Sequence, residues 1–405
     1  MLKIGIVKET KNPIDNRVAL TPKIILDVQE KYPQVKFYVQ QSDIRAYADY
    51  EYERYGIPIV ESLKDCDILF GVKEPKIESL IPNKHYLFFG HIAKEQPYNR
   101  PLIQKMIELN ITFTDYEYLV DDENQRLCAF GWWAGVIGAY NTIRAYGLRT
   151  LKFELEKPNI TFTLEKLISN VKVISHLCNT SIIITGNGRV SKGAQFIMQQ
   201  VGAKELCPDS FLNREESAQL VYTVLTAKDL VKHKDGLDFN KEDFKQNGRN
   251  YVSLFNKYAY SSEILLSCHF WAPSQPIYLD EKLLKDNNLS IKIVGDVTCD
   301  IKGSILSTIR SSTHNEPFYD FNPMTMKEEP AFSNMNNISV MAVDTCPNAL
   351  PLDTSSYFSQ KLLEHIIPLL VKGEFSHPIL ERATILSKGK LTERYMYLKS
   401  YAGLI

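Results

Sequence analysis

The chain has 405 residues, enough for two domains with sizeable cores. Lys plus Arg number 47 against 48 Asp plus Glu, a balance that argues against a nucleic-acid or membrane-surface binder. No apolar run is long enough to span a bilayer, and Lys3 breaks the short apolar start that a signal peptide would need. The seven cysteines are scattered without C-x-x-C spacing, which argues against a zinc site and fits a reducing, cytoplasmic setting.

Residues 3–8 read as a short apolar strand. Residues 22–31 are helical in pattern, with Thr21 as N-cap and Pro22 at the first helical position. Strands follow near residues 37–39, 67–72, 86–89 and 111–114, with helices over 49–55 and 101–109. This alternation predicts a mostly parallel α/β sheet. Polar residues cluster just past these strands: Lys73 and Glu74, His91, and Glu117. In open parallel sheets, ligands gather outside the carboxyl ends of the strands.

Residues 132–144 read as a helix leaving this unit. Residues 150–180 form a connector with one helical run, 164–177. The run Ser181-Ile-Ile-Ile-Thr185 is a buried strand in pattern, followed by Gly186-Asn-Gly188-Arg189-Val190-Ser191-Lys-Gly193 and a helix-compatible run to Val201. Strand, glycine turn and helix place a pyrophosphate on backbone N–H groups at a helix N-terminus. Gly186 makes the turn, and Gly188 lets phosphates approach without a Cβ. Ser191 replaces the third glycine of the usual fingerprint, with Gly193 two residues on. Further strands are expected near 205–207, 264–270, 291–295 and 338–343, with helices over 215–225, 280–285, 359–371 and 391–401. Residues 228–256 resemble a solvated insertion. The expectation is two Rossmann-like, doubly wound α/β domains with a cofactor and substrate cleft between them. Residues 1–145 would form the substrate domain and 146–330 the dinucleotide-binding domain. Residues 331–405 would return to the first.

Several segments together resemble a known family. They are Lys8-Glu9, Arg17-Val-Ala-Leu-Thr-Pro22, Gly71-Val-Lys-Glu-Pro75, Phe88-Phe-Gly-His91, Asp115-Tyr-Glu-Tyr118 and Ala129-Phe-Gly-Trp-Trp-Ala-Gly135. The glycine turn, Gly295-Asp-Val-Thr-Cys-Asp300, Val343-Asp344 and Leu350-Pro351 complete the set. In this order they resemble NAD-dependent, lysine-forming saccharopine dehydrogenase and the lysine–2-oxoglutarate reductase domain, within the alanine dehydrogenase/transhydrogenase superfamily. The resemblance implies an oxidoreductase on the CH–NH bond of a secondary amine. It would interconvert saccharopine, NAD and water with lysine, 2-oxoglutarate and NADH.

By the same resemblance Lys73 and His91 are acid–base groups, and Arg17 and Arg126 bind carboxylates, where a guanidinium fork fits. Glu117 tunes the pair, and Glu74 and Asp115 are weaker candidates for the amine ends. Gly186, Gly188, Arg189, Val190, Asp209 and Asp300 fall to the cofactor, with no metal. Asp209 near the end of the second Rossmann strand favours NAD, and Arg189 in the turn leaves NADP as the alternative. Partners would be small molecules only, with a monomer or homodimer as the assembly. An NADP-dependent lysine–2-oxoglutarate reductase, an alanine dehydrogenase and a non-catalytic dinucleotide-binding regulator are the competing functions.

Overall fold

The computed structural model describes residues 1–174, 180–215 and 219–404. The chain divides into two compact units, one of residues 1–130 with 350–405 and one of residues 131–349. Residues 1–130 carry β1 (Leu2–Ile6), β2 (Val35–Gln40), β3 (Ile59–Val60), β4 (Ile68–Lys73), β5 (His85–Phe89) and β6 (Thr112–Asp115). Residues 131–349 carry β7 (Ser181–Thr185), β8 (Lys204–Glu205), β9 (Val221–Leu225), β10 (Val231–His233), β11 (Tyr251–Ser253) and β12 (Ile264–Ser267). They continue with β13 (Ile293–Asp296), β14 (Phe318–Asn322), β15 (Lys327–Glu329) and β16 (Ile338–Met341). After the return to the first unit come β17 (Thr384–Ser387) and β18 (Lys390–Leu391). Six helices of nine residues or more lie among the described residues. They are α1 (Pro22–Lys31), α2 (Arg100–Glu108), α3 (Gly131–Thr150), α4 (Leu164–Lys172), α5 (Arg189–Val201) and α6 (Pro351–His365).

The first unit is an eight-stranded sheet in the order β18-β17-β6-β5-β4-β1-β2-β3. Strands β1 to β6 run parallel, and β17 closes the β6 side antiparallel. Its core takes most of β4 and β5, with Phe70, Leu87 and Phe88 fully buried. Near-continuous burial along a strand is what a sheet covered on both faces requires. α6 fixes the segment that follows β1: Ser355 and Ser359 hydroxyls accept from the Val18 and Thr21 N–H groups, and Ser359 donates to the Ala19 carbonyl.

The second unit is an eight-stranded sheet in the order β15-β14-β16-β13-β12-β7-β9-β8, parallel from β8 through β16. The residue pattern thus gives two Rossmann-like α/β units, as expected. The unit boundaries fall at 130/131 and 349/350 rather than 145/146 and 330/331. α3 belongs to the second unit because it packs backbone to backbone on α5. A Cβ on Gly135 would lie 1.8 Å from the Val190 carbonyl oxygen, and one on Gly193 would lie 1.9 Å from that of Trp132. Gly193 is therefore a helix-packing residue.

Other expectations shift. Residues 221–225 form β9 rather than the end of a helix over 215–225, and residues 216–218 lie outside the described part. α4 ends at Lys172, and residues 175–177 of its expected span also lie outside. Residues 228–256 are more than a solvated insertion. β10 pairs with β11, and Leu230, Val231, Phe244, Tyr251 and Phe255 enter the core of this unit. Its charges occupy the positions between buried apolar ones, so composition alone hides the pattern. Residues 391–401 begin in β18 and continue as a 3₁₀ turn and a four-residue helix. No helix among the described residues is long and apolar enough to cross a membrane.

Gly193→Ala or Gly135→Ala must push α3 and α5 apart. Each is expected to destabilise the chain by ~1–3 kcal/mol, the usual cost of overpacking, read as a fall in urea midpoint with an unchanged slope.

Candidate active site

Four neighbouring strands of the first sheet end on the same side. Each delivers a charged group there: Glu9 beyond β1, Lys73 at the end of β4, His91 beyond β5 and Glu117 beyond β6. Lys73 is half-buried and makes no ion pair among the described residues. Burial, with the positive charges of Arg17 and Lys11, holds its pKa below the ordinary lysine value against the pull of Asp15 and Glu74. A larger neutral fraction near physiological pH follows, as a basic amine needs to act as a proton acceptor.

His91 sits in a left-handed backbone conformation, φ +52°. Such a state in a non-glycine residue costs ~1–3 kcal/mol and persists where its surroundings enforce it. Its ring stacks on Phe89 at 6.4 Å, and Nδ1 lies 3.0 Å from Glu117 Oε2. A carboxylate can only accept, so Nδ1 carries the proton and Nε2 is left to exchange one.

Glu117 is the centre of this arrangement. It is 4% exposed and also meets Lys94 at 2.8 Å and Arg126 at 2.5 Å. Burial opposes its charge, but hydrogen bonds from His91 and Lys94 and the charge of Arg126 overcome that and hold the carboxyl well below its usual range. Beneath it, Asp115 accepts from the Glu117 and Gly90 N–H groups, and burial pushes its carboxyl up to about 6.

The two expected carboxylate binders arrive already engaged. Arg17 is buried and gives Nε (2.9 Å) and Nη2 (2.5 Å) to Asp15, leaving Nη1 outside that fork, and its guanidinium lies 4.3 Å from the Phe130 ring centroid. Burial works against the Asp15 charge, yet Arg17 holds its carboxyl below the ordinary value. Arg126 is 47% exposed beyond its contact with Glu117. Glu74 pairs with Lys11 through Oε1, while its buried Oε2 makes no hydrogen bond among the described residues. Glu9, Lys11, Asp15 and Lys94 had no role in the residue-by-residue reading. The signal for Asp15 was its spacing of two from Arg17.

In the second unit Gly186 has φ +83°, and a Cβ there would lie 2.8 Å from the His269 Cα. Only glycine makes this turn without strain. Gly188 is exposed, with open space where a Cβ would stand, and α5 starts at exposed Arg189 with no side-chain cap. The uncapped N–H groups and bare backbone fit a phosphate. Val190 is half-buried, with its carbonyl turned to α3. Asp300 lies half-buried in the loop after β13. The sequence reading passed over Asp296 at the end of that strand, buried and bonded by the Thr298 and Thr308 hydroxyls. Asp209 departs from its expected place. The strand beside β7 is β9, and Asp209 follows β8, one strand farther out, in the first turn of its own short helix. Burial holds the Cys268 and Cys299 thiols well above their usual range, which disfavours the nucleophilic thiolate at both. No group of three or more His, Cys, Asp or Glu placed to hold a metal occurs among the described residues.

Residues 5–137 match the model of the alanine dehydrogenase/PNT N-terminal domain. The chain carries that domain. It is homologous to alpha-aminoadipic semialdehyde synthase of Arabidopsis thaliana, 30% identical over 98% of this chain and 41% of that protein. The mitochondrial protein of that name from Rattus norvegicus is 28% identical over 97% of this chain and 47% of its own length. The chain thus spans less than half the length of these two curated relatives. Saccharopine dehydrogenase [NAD(+), L-lysine-forming] of Candida glabrata is 27% identical over 90% of this chain and 93% of that protein. Among solved structures, an L-alanine dehydrogenase superposes with TM-score 0.66 at 14% identity over the full length of both chains. A transhydrogenase from Sinorhizobium meliloti does so with TM-score 0.62 at 12% identity, covering 96% of this chain and all of that one. The alanine dehydrogenase/PNT N-terminal domain therefore contains all of the strand-end groups, from Glu9 to Arg126.

Folding lowers the Glu117 pKa, so its stabilisation is present above the ordinary glutamate range and fades as pH falls through the folded value. Glu117→Gln is expected to lose ~1–3 kcal/mol at neutral pH. Urea titrations in progressively more acid buffer should show the gap to the parent protein closing. A gap independent of pH would deny the ion cluster its energetic role.

Proposed function

We propose that this chain is an oxidoreductase interconverting saccharopine, NAD and water with lysine, 2-oxoglutarate and NADH. The observation that carries the reading is that adjacent strands deliver an amine of lowered basicity, Lys73, and an imidazole, His91, whose Nδ1 is committed to Glu117. The similarity to saccharopine dehydrogenase of Candida glabrata, 27% identical over 90% of this chain, supports it. In the amine-oxidising direction Lys73 takes the proton of the secondary amine. His91 Nε2 then takes a proton from the water that adds to the resulting imine and returns it as the carbinolamine collapses, releasing lysine. Arg126 and Arg17 Nη1 are the guanidinium groups offered to substrate carboxylates. NAD, when bound, supplies the hydride acceptor. Gly186, Gly188, Arg189 and Val190 would hold its pyrophosphate, with Asp209 and Asp300 for the riboses.

A second reading, the NADP-dependent lysine–2-oxoglutarate reductase, has its own support. β9 lies between β7 and β8, so Asp209, which follows β8, does not stand at the end of the strand beside β7. Arg189 is exposed at the turn and makes no ion pair among the described residues. An acid moved away and a free guanidinium both ease the entry of a 2′-phosphate. Assays of saccharopine with NAD or NADP, and of lysine plus 2-oxoglutarate with NADH or NADPH, separate the two. Turnover only with pyruvate and ammonia would replace both with an alanine dehydrogenase. Binding of coenzyme without any turnover would leave a regulator.

Lys73→Met is expected to lower kcat by roughly 10²-fold or more. In the amine-oxidising direction the parent rate should rise with pH through the lowered Lys73 pKa, and the variant should lose that limb. A pH–rate profile unchanged by the substitution would remove Lys73 from the proton path.

A further inference from the structure

Glu9 has no part in the proton path above, yet it is buried and spent on backbone. β4 carries an extra residue against β5: Phe70 pairs with Leu87, but Lys73 pairs with Phe89. Three steps along β4 match two along β5, the signature of a bulge. Bulges re-aim side chains and leave ladder groups without their usual partners. Here the freed donors are taken from the β1 side. Glu9 Oε1 accepts the Val72 N–H at 2.6 Å, and Oε2 accepts the Lys73 N–H at 2.9 Å. The space is tight, since a Cβ on Gly71 would lie 2.8 Å from the Val7 side chain and 3.5 Å from Glu9 Oε1.

We propose that Glu9 is a positioning residue: by clamping both N–H groups of the β4 bulge it aims the Lys73 side chain into its partly buried place among Arg17, Lys11, Asp15 and Glu74. The charged and titratable groups facing Glu9 are Asp15, Arg17 and Tyr116, and those facing Lys73 are Arg17, Lys11, Asp15 and Glu74. The geometry stands alone, whereas its catalytic consequence rests on the acid–base reading of Lys73.

The experiment compares the full-length parent chain with Glu9→Ala and Glu9→Gln, the latter keeping volume and one acceptor. Hydrogen exchange of residues 68–73 is measured, together with the pH midpoint of reductive methylation at Lys73 by peptide mass spectrometry. In Glu9→Ala the Val72 and Lys73 amides should exchange about tenfold faster while Leu69 and Phe70 hold. The labelling midpoint of Lys73 should rise toward that of solvated lysines. Glu9→Gln should free one amide and move the midpoint less. A charge-only role predicts the opposite, because removing a nearby carboxylate lowers a lysine's pKa. A fallen or unchanged midpoint, or amides still protected, would overturn the proposal. With substrates, kcat should fall on the order of 10- to 100-fold with little change in KM. Absence of turnover in the parent would remove the acid–base reading and leave exchange and labelling to decide the role of Glu9.

Discussion

A parallel ladder makes neighbouring strands finish on one side, and every feature of the candidate site follows from that constraint. β1, β4, β5 and β6 lie side by side, so residues far apart in sequence arrive within one row. The strands themselves are buried apolar runs with little room for polar groups. Chemistry is therefore confined to the first residues past each strand, where the backbone turns and can be bent locally. The left-handed His91, the bulge before Lys73 and the 3₁₀ turn Tyr116–Tyr118 are three such bends.

Among the described residues, ion pairs match most of the charges around this row, with Lys73 and Glu9 the exceptions. Asp15 has Arg17, Glu74 has Lys11, and Glu117 has His91, Lys94 and Arg126. Lys73 has none. Buried carboxylates without partners would protonate, and buried cations without partners lose their proton. Pairing the rest and leaving one amine alone concentrates the loss of basicity at a single position. Glu9, pushed up to about 8 by burial and by Asp15, stays a weak acid beside it and does not restore the missing counter-charge.

Much of this was legible in the residues. The β-branched runs gave β7 and β13 within two residues, and polar residues after apolar runs marked Lys73, His91 and Glu117. The alternation of strands and helices gave the fold class. Most of what escaped was set by distant partners. β9 was absorbed into a helix expected over 215–225, although Val221-Tyr-Thr-Val-Leu225 is itself rich in strand formers and pairs with β7 and β8. β14 pairs antiparallel with β15 and β16 with no helix between them to announce a crossover, and β17 pairs antiparallel with β6 from far along the chain. Arg17 was read as open to substrate because a one-dimensional pattern does not tell which acceptor wins. Asp15, two residues away and equally buried, takes the fork first. Asp209 fitted the usual order of strands until β9 came between.

The edge of the first sheet links both ends of the chain. β6, which leads directly into Asp115 and Glu117, is flanked by β17, whose Thr384 hydroxyl lies 2.9 Å from that of Thr114. A ribosome must therefore deliver some 270 further residues before β6 gains its outer neighbour. Until then the strand that presents the key carboxylate is an open margin, a template for foreign strands. The whole second unit is synthesised during that interval, so the nascent protein depends on folding an inserted domain while its first one waits incomplete.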